Sequence, residues 1–246
     1  MKNKKIVVVT GGSRGIGLAI TKQFIKDGDK VYITYLKSTK SYFKEHKIFK
    51  SKNLKLIKCD MRQLSQIKSL KKILKKEGRV DVLVNNVGDV IRRSPFEKSD
   101  DKLWMDVFNL NTFSTIRTTL SLLPLIKKSS DSVIINISST AGRAGGAGDS
   151  LHYGVSKSAI NVFTVGLAKE LKRDHYKTRV IAIAPSLVDT DFQKRNSTPE
   201  RLAKILKVTP IARMAYPSEV ADLVYLLTSK KASYISGEVI YLSGGR

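Results

Sequence analysis

Seven short runs rich in β-branched residues recur along the chain: "KIVVVT", "KVYITYL", "LKLIKC", "VDVLVNN", "SVIINIS", "TRVIAIA" and "EVIYLS". The longer stretches between them return apolar residues at spacings of three and four, the period of a helix lying with one face on a core. In "SLKKILKKEG" that period points Leu70, Ile73 and Leu74 inward. Strand and helix in strict alternation predict an α/β fold, a doubly wound parallel sheet of about seven strands with helices on both faces. The near-continuous apolar character of the runs agrees, because crossover helices bury both faces of each strand. No linker, repeat or low-complexity block breaks the order, so residues 1–246 are expected to form a single domain. The one long irregular stretch, about 185–209, is read as a loop, with a substrate lid near 186–209.

Composition narrows the class. Hydrophobic residues make up 41% of the 246, and no apolar run approaches the roughly 18 residues of a membrane span. The start "MKNKKIVVVTGG" runs from charge through a short apolar stretch into glycines, which reads as a strand and not a signal peptide, so a cytoplasmic location is expected. A single cysteine, Cys59, excludes an internal disulfide and is read as a small buried apolar residue. The three histidines, His46, His152 and His175, lack metal-ligand spacing, so no metal is expected.

The formal charge of +24 is uneven, with 22 Lys and Arg against 5 Asp and Glu in residues 1–80. Such a surface attracts nucleic acid, a phosphorylated cofactor or an acidic carrier protein, or simply solvates helix faces. The lysines lack the interleaved aromatics of a base-stacking groove, which leaves nucleic acid a lesser alternative.

"TGGSRGIG", residues 10–17, follows the first strand and opens a helical pattern. Glycines there let the backbone turn tightly and approach a pyrophosphate seated on free N–H groups at the helix start, which marks Gly11, Ser13, Arg14, Gly15, Ile16 and Gly17 as cofactor-binding. The second strand ends "ITYLKST", without the acid that would hydrogen-bond a ribose hydroxyl. Arg14 and Lys37, with Ser38 or Thr39 beside them, offer charge and hydrogen bonds to a 2′-phosphate instead, so NADPH is favoured over NADH.

In "LHYGVSKSA" a spacing of four puts Tyr153 and Lys157 on one face of a helix expected over 151–173. A phenol with a reference pKa near 10 is a poor acid or base at neutral pH, and a nearby ammonium is expected to stabilise its phenolate. His152 points away from Tyr153 on such a helix, which suits packing better than proton transfer.

The order of the glycine turn, "NNVG", "NISS" and the tyrosine helix resembles the short-chain dehydrogenase/reductase family over essentially the whole chain. That resemblance implies a Rossmann-type sheet and hydride transfer between NAD(P)H and a carbonyl or alcohol. It implies that Ser139 holds the substrate oxygen, that Tyr153 exchanges its proton, and that Lys157 binds the nicotinamide ribose and lowers the tyrosine pKa. Asn111, in "NLNTF", completes a water-linked proton path. Ser138 competes with Ser139, and the alignment of "SSTAG" favours Ser139. The same resemblance assigns Asp60 to the adenine amino group and Asn86 and Gly88 to the adenosine side. Beyond Pro185, Val188 and Thr190 meet the nicotinamide carboxamide. Two residues depart from the pattern: Ser186 stands where the family usually has glycine, and Val87 where "NNAG" has alanine.

The favoured substrate is a ketone, with a carrier-bound 3-oxoacyl thioester as one version. The motifs resemble 3-oxoacyl-carrier-protein reductases, and Lys127, Lys128 and Arg173 suit an acidic carrier. The spacing from Ser139 to Tyr153 is one residue longer than is common there, and with "YLSGGR" it is closer to oxidoreductases that include glucose dehydrogenases. A sugar or polyol dehydrogenase is therefore the alternative, and a non-catalytic cofactor- or nucleic-acid-binding protein the rival from another class. Family members commonly form homotetramers or homodimers, and the last strand with "SEVADLVYLLTS" is the expected contact.

Overall fold

The computed structural model describes residues 4–173 and 177–246, so His175 lies outside the described residues. Seven strands, β1 (Ile6–Val9), β2 (Lys30–Tyr35), β3 (Leu54–Lys58), β4 (Val82–Asn85), β5 (Ser132–Ile137), β6 (Thr178–Pro185) and β7 (Glu238–Leu242), form one sheet. All pairs are parallel and the order is β3-β2-β1-β4-β5-β6-β7. The helices follow as α1 (Gly15–Lys26), α2 (Lys40–Glu45), α3 (Leu64–Leu74), α4 (Asp101–Phe108) and α5 (Ser114–Ile126). Next come α6 (Ala141–Ala144), α7 (Leu151–Arg173), α8 (Asp191–Asn196), α9 (Pro199–Lys207) and α10 (Pro217–Leu227).

Side chains alternate across each strand, and in the central strands β1, β4, β5 and β6 both sides are dry, while the edge strands β3 and β7 are only partly buried. Val7 and Val9 join Ile20 and Phe24 of α1 and Val220 and Val224 of α10 on one face. On the other, Val8 and Leu83 join Leu70 and Leu74 of α3 and Leu122 and Ile126 of α5. This is the burial that the unbroken apolar runs required. Ile73, expected inward, instead sits at the edge of the α3 stripe and is 39% exposed.

Residues 185–209 are not the irregular loop that their polarity suggested. They hold α8 and α9, and Thr198 starts α9 by accepting a hydrogen bond from the Arg201 amide, with Pro199 in the first turn. A threonine cap followed by proline is an ordinary helix start, and the charged residues of "PERLAKILK" obscured it.

The chain leaves β1 for β2 on one side and returns to β4 on the other. At that reversal the connections diverge, which opens a crevice beyond the carboxyl ends of β1 and β4. No helix among the described residues is long and apolar enough to cross a membrane.

Phe24 is fully buried between the sheet and α10, where its ring lies 5.6 Å from that of Tyr225. Phe24→Ala should lower stability by about 3–5 kcal/mol, read as a lower urea midpoint at unchanged slope.

Candidate active site

A cavity of about 620 Å³ runs along the crevice, from the glycine turn across the strand ends to α8 and α9. Its floor is built by the turn after β1. Gly11 and Gly15 take φ of 63° and 52°, and the Thr34 hydroxyl accepts the Gly11 amide. Gly17 lies beneath, where a Cβ would stand 2.3 Å from the Gly11 carbonyl oxygen, so only glycine lets helix and turn close together. The Asn86 side chain donates to the Thr10 and Gly11 carbonyls, locking the turn to the end of β4. Helix α1 begins with no side-chain cap and no acid in its first turn, which leaves its amide N–H groups and positive end facing the cavity.

Around this floor the structure brings together Gly11, Ser13, Arg14, Gly15, Ile16, Lys37, Asp60, Asn86 and Gly88 at one end. Arg14 and Lys37 are exposed at the rim, and the hydroxyls of Ser13 and Ser38 are 2.8 Å apart between them. The Tyr42 hydroxyl donates to the Ser13 carbonyl, a contact that the sequence did not reveal. Asp60 lines the cavity with its carboxylate held by Arg62 through contacts of 2.9 and 2.6 Å, which keep it below the usual carboxylate pKa.

Ser139, Tyr153, Lys157, Pro185, Val188 and Thr190 line the middle. Ser139 follows β5 and lines the cavity beside Tyr153, near enough for its hydroxyl to favour the phenolate. Ser138 instead is buried and donates to the Lys157 carbonyl, so of the two serines it is Ser139 that meets the tyrosine. Tyr153 and Lys157 lie one turn apart on α7, with the ammonium 5.8 Å from the ring centre. The Lys157 ammonium is buried and donates to the Ile137 carbonyl at 2.9 Å. A Cβ at Gly88 would stand 2.9 Å from that nitrogen, so glycine in "NNVG" makes the space it occupies.

Asn111 and Gly17 stand behind the lining. Asn111 is fully buried in a wide π-helical turn (Asn109–Phe113) joining α4 to α5, accepts the Asp89 amide, and donates to the Asp89 carbonyl and the Ser156 hydroxyl. Such turns interrupt a helix at the expense of regular bonding and recur at functional sites. Ser186 needs no glycine-like backbone, since positive φ outside glycine among the described residues occurs only at Ile91 and Ala212. His152 is buried with its ring 6.1 Å from Trp104 and Nε2 3.0 Å from the Arg92 carbonyl oxygen, a packing position. Cys59 is buried at the end of β3, which pushes its thiol up to about 11, and no metal-holding cluster occurs among the described residues.

The electrostatics differ from the sequence expectation. Burial pushes the Tyr153 phenol up to about 12, with the Ser139 hydrogen bond and the charge of Arg93 acting against it and Asp89 acting with it. Burial likewise pushes Lys157 down to about 8, opposed by Asp89. In the protein alone, desolvation dominates both groups, and the lysine does not lower the tyrosine below its ordinary value.

The far end was illegible in the sequence. Arg93, Gln193, Arg195 and Arg201 line it beside Phe192 and Ile205, with Asp149 paired to Arg93 and Arg201, and the Phe192 ring lies 6.2 Å from that of Tyr153. These arginines could not be told apart from the many solvated cations of so basic a chain.

A parallel sheet with a glycine-lined crevice and a serine, tyrosine and lysine gathered at its strand ends defines a dinucleotide-dependent oxidoreductase scaffold. Residues 5–201 match the short chain dehydrogenase family, and the chain belongs to it. It is similar to the 3-oxoacyl-[acyl-carrier-protein] reductase of Vibrio harveyi, with 32% identity over 242 residues, 98% of this chain and 96% of that protein. The enzyme of the same description from Aquifex aeolicus is 33% identical over 244 residues. Among solved structures, ligand-free aldohexose dehydrogenase from Thermoplasma acidophilum matches with a TM-score of 0.85 and 29% identity, over 98% of this chain and 93% of that one.

Because Lys157 binds its proton less tightly folded than unfolded, stability should rise with pH between about 8 and 10.5. Lys157→Met should flatten that rise and add about 2–3 kcal/mol at pH 7, measured by urea midpoints at neutral and alkaline pH.

Proposed function

We propose that the chain is an NADPH-dependent carbonyl reductase, residues 1–246 forming one cofactor-binding domain whose α8–α9 segment covers the substrate. The observation that carries the reading is that Ser139, Tyr153 and the buried Lys157 line one cavity that is continuous with the glycine turn. When bound, the dinucleotide supplies the hydride to the carbonyl carbon. Ser139 and Tyr153 hold the carbonyl oxygen, and Tyr153 gives it a proton. Burial that pushes the phenol up to about 12 keeps it protonated but makes it a weaker acid, so donation needs added positive charge, which an oxidised nicotinamide would supply.

Several residues of the cradle fit the cofactor. The free amides of α1 suit a pyrophosphate, and Asp60, Asn86 and Gly88 suit the adenosine side. Lys157 reaches the ribose, while Pro185, Val188 and Thr190 border the nicotinamide. Arg14 and Lys37, with the paired hydroxyls of Ser13 and Ser38, meet a 2′-phosphate where an acid would repel it. Asn111 supports the site by fixing the loop after Gly88.

The substrate is read as a ketone, with a carrier-bound 3-oxoacyl thioester as one form. A hydroxylated substrate such as a sugar or polyol is the second reading, and one observation favours it. The far wall carries Arg93, Asp149 and Arg201 in ion pairs only 22–30% exposed, which a long apolar chain would cover without replacing their hydration. Self-association into dimers or tetramers belongs to the same proposal. Strand β7 forms one edge of the sheet, and Met105, Phe113, Leu120, Val155 and Val162 add exposed apolar surface on and between α4, α5 and α7. A non-catalytic or nucleic-acid-binding role finds no matching feature in the cavity.

Tyr153→Phe should lose about 10² to 10⁴ in ketone reduction while still quenching on NADPH, because only the proton donor is removed. Unchanged turnover would overturn the assignment. Arg14→Ala with Lys37→Ala should weaken NADPH about tenfold or more and leave NADH nearly unaffected, read by fluorescence titration.

A further inference from the structure

The geometry points to Arg93 as a positioning residue: its guanidinium ties the loop after β4, the turn that leads into α7, and the α8–α9 cover together at one point beside Tyr153. The inference rests on the oxidoreductase reading only for its kinetic consequences.

The Arg93 Nε donates to the Asn196 carbonyl at the end of α8, and Nη1 donates to Asp149 at 2.8 Å and reaches the Ser150 hydroxyl at 3.4 Å. Asp149 and Ser150 immediately precede α7, four and three residues before Tyr153. The other Asp149 oxygen accepts Arg201 of α9 at 2.9 Å, and Arg201 also donates to the Ala147 carbonyl. One carboxylate is thus shared by two arginines from opposite walls. Burial alone would raise its pKa, yet the hydrogen bonds from Arg201 and Arg93 hold it below the carboxylate range.

The same loop reaches the cover a second time. Asp89 accepts the Asn196 side chain at 3.2 Å and Arg195 at 3.3 Å, while its backbone is fixed by Asn111. Between Asp89 and Arg93 the chain passes through Ile91 at φ 64°, a strained conformation for a β-branched residue. Strain of that kind persists where surrounding contacts over-determine the backbone, and here the residues on either side are both committed to the cover. Arg93 also lies close enough to Tyr153 for its charge to act on the phenol.

The lysines and arginines elsewhere on this surface do not combine these features. A lysine at 93 keeps the charge but has one nitrogen, and cannot bond the Asn196 carbonyl and Asp149 in the forked geometry.

The test compares wild type with Arg93→Gln, Arg93→Lys, Asp149→Asn and the Arg93→Gln/Asp149→Asn double variant. Hydrogen exchange without added cofactor should show the amides of residues 191–207 exchanging about tenfold faster in Arg93→Gln, with the central strands unchanged. NADPH affinity should stay within about twofold, while kcat/KM for ethyl acetoacetate, the probe ketone, falls about tenfold or more. Arg93→Lys should recover part of that loss, and the double variant should be no worse than the poorer single one. Unchanged exchange in 191–207, exchange raised equally across the sheet, or additive single losses overturns the proposal. Should the wild type reduce no carbonyl compound at all, the proposed function fails, and the exchange experiment still decides the role of Arg93.

Discussion

An ammonium group buried at the centre of the site is the constraint around which the rest is arranged. Removing Lys157 from water is costly, and the sequence around it supplies what reduces that cost. The Ile137 carbonyl at the end of β5 accepts one of its hydrogens, Asp89 favours its charge, and Gly88 withholds a side chain from the space it fills. The first comes from β5 and the other two from the loop after β4, while the lysine itself sits on α7. The position of Lys157 therefore requires that β4, β5 and α7 all end in register, and a parallel sheet with buried strands on both faces provides that register. The penalty that remains shows in a pKa pushed down to about 8, and it marks a position where the fold gives up stability.

The topology then explains why the glycine-lined crevice and the tyrosine helix meet. Strand order reverses between β1 and β4, so the crevice opens at their carboxyl ends, where the glycine turn and "NNVG" both lie. β5 is the next strand outward, and its end carries Ser139 towards the same rim. Helix α7 packs along β6 and across this end of the sheet, which brings Tyr153 to Ser139 with no long-range adjustment. A short α6 and three glycines at positive φ, Gly145, Gly146 and Gly148, make the connection between serine and tyrosine compact despite its extra residue.

Regular parts of this arrangement were legible because they follow from period and punctuation. All seven strands and the long helix α7 were readable from apolar runs and helical spacing, and the family resemblance rested on short motifs lying in strand-to-helix turns. Ile73 and the cover were not. Whether an apolar residue at the edge of a helical stripe is buried depends on the neighbouring helix, and α3 leaves Ile73 at its border. The cover was hidden by its own charge, since Arg195, Arg201, Lys204 and Lys207 read as solvated polarity until the carboxylates of Asp89 and Asp149 are placed beside two of them. Pairings across 50 to 110 residues of sequence carry no local signature.

The direction of the two central pKa shifts bears on how such a site works. Burial moves Tyr153 up and Lys157 down, which drives both toward their neutral forms and away from the phenolate–ammonium pair that spacing alone suggested. Groups this close titrate as a coupled set, so stabilisation of the phenolate cannot be a fixed property of the tyrosine helix. It has to come from charge that changes during turnover. Ser139 and Arg93 already pull the phenol downward, one by a hydrogen bond and one through space, and neither overcomes desolvation. On the proposed reading, a phenol held this firmly to its proton would need positive charge brought beside it before it could give that proton up.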